Sequence, residues 1–296
     1  FSFILGGRLD YHNRLGAFAT PRVFVKYNPW EKGVARFSAG RGKRAANIFA
    51  ENQSLFASSR TFSVLDNSGK IYGLDPEVAW NYGLSFNQQF LLFGKSADVG
   101  FDFYRTDFQN QVVVDLYASP QQALFYNLNG KSYANSFQLD FNIELIKHLD
   151  LRTAYKYYDI NTAYLSGMNE RPLQAKHRFF TNLAYATHIG EKGKQWKFDY
   201  TLNWLGKQAL PNTSTNPPAD QLPDYSPAFT VMNVQVTRTF SSTFEVYVGG
   251  ENIGNYKQDK AILGSDNPFG PNFDTSIVYA PVFGQMYYAG LRFKVK

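Results

Sequence analysis

The chain has 296 residues, with Lys+Arg 30 against Asp+Glu 24, a net charge of +6, 17% aromatic residues and no cysteine. A mean hydropathy of −0.35 and the absence of any run of about 18 apolar residues exclude a protein that crosses a membrane with helices. The missing thiols exclude disulfide scaffolds, thiolate metal centres and cysteine nucleophiles, while 44% apolar residues are too many for a disordered chain.

The predicted elements are strands almost throughout. Phe1 already stands in a strand-like pattern, with no basic stretch, apolar run or cleavage site before it, so the chain reads as a piece of a longer protein. Strands are expected near 1–11, 20–28, 33–40, 79–90 and 97–106. Phe137–Leu145 then places Phe137, Leu139, Phe141, Ile143 and Leu145 on one face, and Gln138, Asp140, Asn142 and Glu144 on the other. Leu149–Tyr157 repeats the pattern, and a weaker copy follows near 177–187. Trp196–Trp204 is strictly alternating: Trp196, Phe198, Tyr200, Leu202 and Trp204 oppose Lys197, Asp199, Thr201 and Asn203. The series closes with 229–240, Phe244–Gly249 and 287–295. That makes about 12 strands. Many are about 9–11 residues long, the length that crosses a bilayer at a tilt of roughly 45°.

The connections sort by length. Asn28–Lys32, Leu92–Ser96, Ile146–His148, Gly190–Lys194 and Ser241–Ser242 are short; Gly42–Val78, Asp107–Lys131, Ile160–Lys176, Gly206–Ser226 and Ile253–Phe283 are long. Outer-membrane barrels have short periplasmic turns and long extracellular loops, so the rule places the C-terminus in the periplasm. Tyr27, Trp30, Trp80, Phe90, Tyr157, Trp196 and Trp204 sit near strand ends, as interface girdles do. The basic residues Arg22, Lys26, Arg36, Arg152, Lys156, Arg178 and Lys197 share the polar face with Asp98, Asp102, Asp140, Glu144, Asp150, Asp199, Glu245 and Glu251. Cross-strand ion pairs on a wetted wall are expected there. The basic residues form no single patch, so nucleic acid is not expected as a partner. A soluble β-sandwich is the bland competitor, but it has no reason to sort its loops by length.

Several segments, in order, resemble the C-terminal half of TonB-dependent outer-membrane receptors. Ala19-Thr20-Pro21-Arg22-Val23 and Phe37-Ser38-Ala39-Gly40-Arg41-Gly42-Lys43-Arg44 look like two mid-barrel strands, the second running into a large loop through Ala45–Asn52. Asp75-Pro76-Glu77, with Asn81-Tyr82-Gly83, resembles that family's "PE-x-x-x-NYE-x-G" strand start, and Arg171-Pro172-Leu173 with Lys176-His177-Arg178 its "PL…PHR" pattern. Gly249-Gly250-Glu251-Asn252-Ile253-Gly254-Asn255 resembles the penultimate strand, and Gly284–Phe293 the closing one. Two departures stand out: Gln285 replaces the usual arginine, and Val295-Lys296 replaces the usual C-terminal aromatic. Arg44–Arg60 resembles receptors of Bacteroidetes-type bacteria, without the closing strand of the glycan importers. The resemblance implies an all-β fold, a transmembrane antiparallel β-barrel whose about 12 strands, residues 1–296, are the C-terminal part of a 22-stranded barrel, with the plug domain outside this chain. It implies a bacterial outer-membrane location and active uptake of a ferric siderophore, haem or cobalamin. The implied partners are the TonB complex, through the plug, and outer-membrane lipid and lipopolysaccharide. A small passive channel of about 12 strands is the alternative, and no resident cofactor is expected.

The chemistry-bearing residues argue against an enzyme. His12, His148, His177 and His188 are scattered with no metal-ligand spacing, Asn129-Gly130-Lys131-Ser132 lacks the first glycine of a phosphate loop, and no G-x-S-x-G occurs. Asp66-Asn67-Ser68-Gly69 and Asp266-Asn267-Pro268 could hold Ca²⁺ but read first as turns. For an anionic chelate the candidates are Arg41, Arg44, Asn47, Phe49, Glu51 and Arg60 in the first long loop, with Tyr225 and Tyr256 in later ones; Asp224 and Phe269 offer further contacts. Packing of the first loop on itself competes with that reading.

Overall fold

A computed structural model describes residues 1–65 and 68–295. The described residues form sixteen strands: β1 (Ser2–His12), β2 (Gly16–Tyr27), β3 (Gly33–Arg44), β4 (Thr61–Val64), β5 (Glu77–Leu92), β6 (Lys95–Asn110), β7 (Val112–Asp115), β8 (Gln122–Asn127), β9 (Ser132–Ile146), β10 (Leu149–Tyr164), β11 (Gly167–Glu170), β12 (His177–Ala186), β13 (Gln195–Leu205), β14 (Phe229–Thr239), β15 (Phe244–Glu251) and β16 (Met286–Phe293). Twelve of them form one antiparallel path, β1-β2-β3-β5-β6-β9-β10-β12-β13-β14-β15-β16, with β11 beside β10. Each expected strand lies on this path. β1 and β16 are its ends and do not pair with each other, as a closed 12-stranded channel would require.

Register fixes two faces. One row runs Leu84, Phe103, Phe137, Tyr157, His177 across β5, β6, β9, β10 and β12. The neighbouring row, one residue along, runs Lys26, Arg36, Ser85, Asp102, Gln138, Lys156, Arg178 from β2 to β12. A slip of one residue would exchange the two faces, so the apolar set pins the pairing. The apolar row stays uncovered: Phe37, Leu84, Leu139, Phe198 and Leu291 are all exposed. Exposed rings and aliphatics in continuous rows over twelve strands mark a surface solvated by lipid.

The connections sort to the two ends as expected, with one exception. The short end has tight turns, including a two-residue turn with Phe93 at φ 50° and Gly94 at φ 75°, the positive pair that matches strand twist. At the other end the β1–β2 connection is only residues 13–15, although Arg14 Nη1 reaches the Lys70 carbonyl in the first long loop at 3.4 Å.

Two differences from the sequence reading concern the long loops. Strands β5, β6 and β10 run to 16 residues, because backbone pairing continues past the level where alternation is needed. There, Arg105 and Asp107 stand on the apolar side and pair at 2.6 Å. The loops also contain a second sheet, β4-β8-β7, with β4 parallel to β8. Val112–Asp115 and Gln122–Asn127 are buried on both faces, so they carry no alternation to read. The buried core lies largely here. Ile48, Leu55, Leu74, Val112, Leu116, Ala123 and Phe125 form one cluster and Leu210, Leu263 and Ile277 another.

Leu139→Lys, which puts a charge on the lipid side of β9, is expected to lower unfolding stability in vesicles by about 2–4 kcal/mol. Gln138→Lys, on the opposite face, should cost about 1 kcal/mol or less. Urea titration of the vesicle-embedded protein separates the two.

Candidate ligand-binding site

The five long connections are tied into one body at the end of the sheet. Arg60 and Asp274 form its clasp: their side chains are 1% and 5% exposed and Nε donates to Oδ2 at 2.8 Å. Arg60 Nη1 also donates to the carbonyls of Ser119 and Gln122 at 3.1 and 3.2 Å, so one side chain joins the 45–76, 111–131 and 252–285 segments. Its Nη2 is buried without a described partner. Ser59 Oγ donates to the Pro271 and Phe273 carbonyls, and Gln121 Nε2 to Asn216 and Asn272. Tyr117 links the 165–176 segment by donating to the Glu170 carbonyl at 2.7 Å, and Asn212 Nδ2 donates to the Tyr117 carbonyl. Burial, with the nearby Tyr164 ring, pushes the Tyr117 phenol well above its usual range, so it remains a neutral donor.

The first-loop candidates fall into three groups. Arg44, Asn47 and Glu51 form a knot. Arg44 holds Glu51 with two 2.9 Å bonds and Glu77 at 2.6 Å; the Asn47 N–H donates to Glu51, and Asn47 Oδ1 accepts from the Ala50 N–H. Burial raises the Glu51 pKa, but the Arg44 and Asn47 hydrogen bonds outweigh it, and the carboxyl sits below its ordinary 4.5. Phe49 stacks with Phe56 and Phe62 and meets Tyr72 edge-on, and Phe62 rests on buried Phe125. Arg41 stands apart, with Nε 3.2 Å from Gln109 Oε1.

The later candidates lie elsewhere. Tyr225 is exposed, with the Lys207 ammonium 4.4 Å above its ring, and Tyr256 stacks on Phe229 at 4.9 Å. Burial and the Asp259 carboxylate raise the Tyr256 pKa. The eight candidates therefore do not converge on one point.

What does converge is a cavity of about 810 Å³ between the 206–228 and 252–285 segments. Asp220, Asp259, Lys260, Asp266, Asn267 and Phe273 are among its lining. Asp220 Oδ1 accepts the Gly264 N–H at 2.9 Å, and Lys260 donates to the Ala219 carbonyl, which bridges the two segments. Asp266 and Asn267 thus line a cavity rather than only a turn; Asp66 and Asn67 lie outside the described residues. Sequence reasoning missed the other residues because nothing local links Asp220 to Asp259. Among the described residues no group of three or more His, Asp or Glu is placed to hold a metal.

The polar face beneath the loops carries fewer ion pairs than expected. Glu245 takes both Lys197, at 3.8 Å, and Arg292, and Lys95 meets Glu144 at 3.4 Å. Other carboxylates take neutral amides instead: Asn142 donates to Asp98, Gln138 to Asp140 and Asn182 to Asp199. Arg22, Lys26, Arg36, Arg152, Lys156 and Arg178 have no carboxylate within 4.0 Å among the described residues. Lys26 stands directly opposite Arg36, and Lys156 opposite Arg178. Lys156 and Arg178 instead share the Tyr158 ring, at 5.3 and 5.7 Å from its centroid, and like charges directly opposite repel.

A lipid-facing antiparallel wall, a polar inner face and a loop roof on one end define a transmembrane β-barrel of the receptor type. A model of the TonB dependent receptor-like β-barrel family matches residues 1–253; the chain belongs to that family, whose members are receptors of the bacterial outer membrane. Among solved structures it is similar to the ferric enterobactin receptor of Pseudomonas aeruginosa, at 15% identity and a TM-score of 0.66, over 98% of this chain and 42% of that one. It is also similar to a siderophore receptor of Acinetobacter baumannii, at 15% identity and a TM-score of 0.61, over 94% and 36% of the two chains. The ferric-catecholate import receptor of Escherichia coli K12 gives 12% identity and a TM-score of 0.61, over 94% and 35%. These likenesses show the fold. The chain spans about two fifths of the length of these structures. No curated protein matches it.

Two predictions follow from the loop body. Arg60→Ala leaves the buried Asp274 charge unpaired, which costs about 3–5 kcal/mol. Hydrogen exchange should accelerate together at residues 57–62, 119–122 and 271–276, and acceleration confined to one segment would contradict the clasp. Glu51 has a lowered pKa in the fold, so its contribution is complete above the ordinary 4.5 and is lost as pH falls through the folded value. Proteolysis of the 45–76 loop should therefore rise below about pH 4.5, and Glu51→Gln should abolish that acid step.

Proposed function

We propose that residues 1–296 are the C-terminal portion of the barrel domain of a TonB-dependent importer whose cargo is an anionic ferric siderophore of the catecholate type. The observation that carries the cargo class is the pair Lys156 against Arg178 on the polar face, toward the loop end of β10 and β12, neither with a carboxylate within 4.0 Å among the described residues; Lys26 against Arg36 is a like pair at the short-turn end. Such a pair attracts carboxylates of a plug and favours a multiply charged anion over a neutral cobalamin. The neighbours support the same class, being described as ferric enterobactin, siderophore and ferric-catecholate receptors.

In this reading the long loops are extracellular, the short turns and the C-terminus periplasmic, and lipid and lipopolysaccharide surround the apolar face. The free edges of β1 and β16 pair with the remaining strands of the same barrel, because unpaired backbone groups are not tolerated in lipid. A plug domain elsewhere in the protein fills the polar interior and couples to TonB. Phe49, Tyr225 and Tyr256, with Lys207, offer the ligand side chains not already bound to carboxylates, while Arg41 shares the outward face of β3 with Phe37. Arg44, Asn47, Glu51 and Arg60 hold the loop that presents them.

The test is thermal unfolding of the intact protein in detergent with ferric enterobactin, haem or cobalamin. Ferric enterobactin should raise the melting temperature and the other two should not. Protection by cobalamin alone would overturn the cargo class. Charge reversal by Lys156→Glu should weaken ferric-enterobactin uptake by about tenfold, the effect of roughly 1.4 kcal/mol, with the loop body's exchange pattern unchanged.

A further inference from the structure

We propose that Arg238, held against the rings of Trp196 and Phe240 on the outward face, is a seat for the phosphodiester of an anionic glycerophospholipid in the leaflet beside the short turns. Arg238 lies opposite Trp196 in the β13–β14 register, in the lipid-facing set with Phe198 and Val236. Charged side chains are rare on that face. Those near the long loops include Arg105, which is neutralised inside the protein by Asp107 at 2.6 Å and also donates to Asn135 at 3.1 Å. At the short-turn end, Lys95 begins β6 and turns to Glu144. Arg238 has no such partner: among the described residues none takes an ion pair or hydrogen bond from it.

Its surroundings fix the guanidinium without satisfying it. The Trp196 ring centroid is 4.9 Å away and the Phe240 centroid 5.7 Å. Phe240 in turn stacks on Phe244 at 5.7 Å, and Trp196 on Phe198 at 6.2 Å. Two rings hold the guanidinium by cation–π contact and no acceptor among the described residues takes its N–H groups, so its fork remains available for two oxygens of a phosphate. The charge sits at the end of an apolar band, where an arginine reaches the headgroup level while its stem stays in hydrocarbon. An acyl chain on the β13–β14 surface and a phosphate on Arg238 are therefore engaged by one molecule, which a free phosphate ion cannot do. The inference rests on the membrane placement of the sheet and is independent of the cargo.

The test is native mass spectrometry of the intact protein, released from detergent, with phosphatidylglycerol, with diacylglycerol of the same chains, and with inorganic phosphate. Wild type should retain phosphatidylglycerol in preference to diacylglycerol, and inorganic phosphate should not displace it. Arg238→Gln should weaken the tightest phosphatidylglycerol site by about tenfold, the loss of one charge-assisted pair. Lys192→Gln, in a short turn off this face, should leave the site intact. Trp196→Leu keeps the charge but frees the guanidinium, and should weaken the site severalfold. Each variant is checked for heat-modifiable migration, the mark of a folded barrel. Equal retention by wild type and folded Arg238→Gln, equal retention of diacylglycerol, or equal loss in Lys192→Gln would overturn the seat. Should Arg238→Gln not fold, unaltered binding by Trp196→Leu would overturn it instead.

Discussion

Lipid offers a peptide group no hydrogen-bond partner, and the rest of this structure depends on that constraint. Each spanning N–H and C=O must find its partner in the next strand. Twelve strands in unbroken antiparallel order meet the demand along the path. Strict pairing sets the register, the register sorts side chains to two faces, and those faces become a wall against hydrocarbon and a wall around water. Both sides of the wall are consequences of backbone chemistry rather than of a core.

The buried core sits instead in the connections. Ile48, Phe125, Leu210, Leu263 and Ile277 are enclosed by loop against loop, with Arg60–Asp274 as the polar link between clusters. The arrangement is the reverse of a soluble sandwich, whose loops hang from a packed interior. The sheet is specified by pairing and solvent, and the roof is specified by tertiary contacts. The two parts therefore answer to different kinds of mutation. A charge on β9 acts through solvation, while loss of Arg60 acts through three segments at once.

That division also explains what could be read from the sequence. The twelve wall strands were legible because one-sided lipid exposure imposes period two on every one of them, and Trp196–Trp204 shows it without a break. The β4-β8-β7 sheet was not, since Val112–Asp115 and Gln122–Asn127 are buried on both sides and show only a short apolar run. Arg44 and Glu51 are close in sequence, and their chemistry was visible, although the bidentate bond that joins them was not. The clasp spans 214 residues, and no local pattern links Arg60 to Asp274. The inner-face charges were placed on the correct side, but their pairing was misjudged. Asn142, Gln138 and Asn182 compete for the carboxylates, and alternation says nothing about which neighbour wins.

The strand lengths have a consequence for the shape of the mouth. Sixteen residues in β5, β6 and β10 extend roughly 53 Å, whereas the eight of β15 and β16 extend roughly 26 Å. At the usual tilt only the longer set rises well clear of an apolar band about 25 Å tall. The parapet is thus high over the middle strands and low beside β16, where the 252–285 segment and its cavity lie. A bulky molecule approaching the loop end would meet a sloping lip, and its shallow side is the one that carries the hollow.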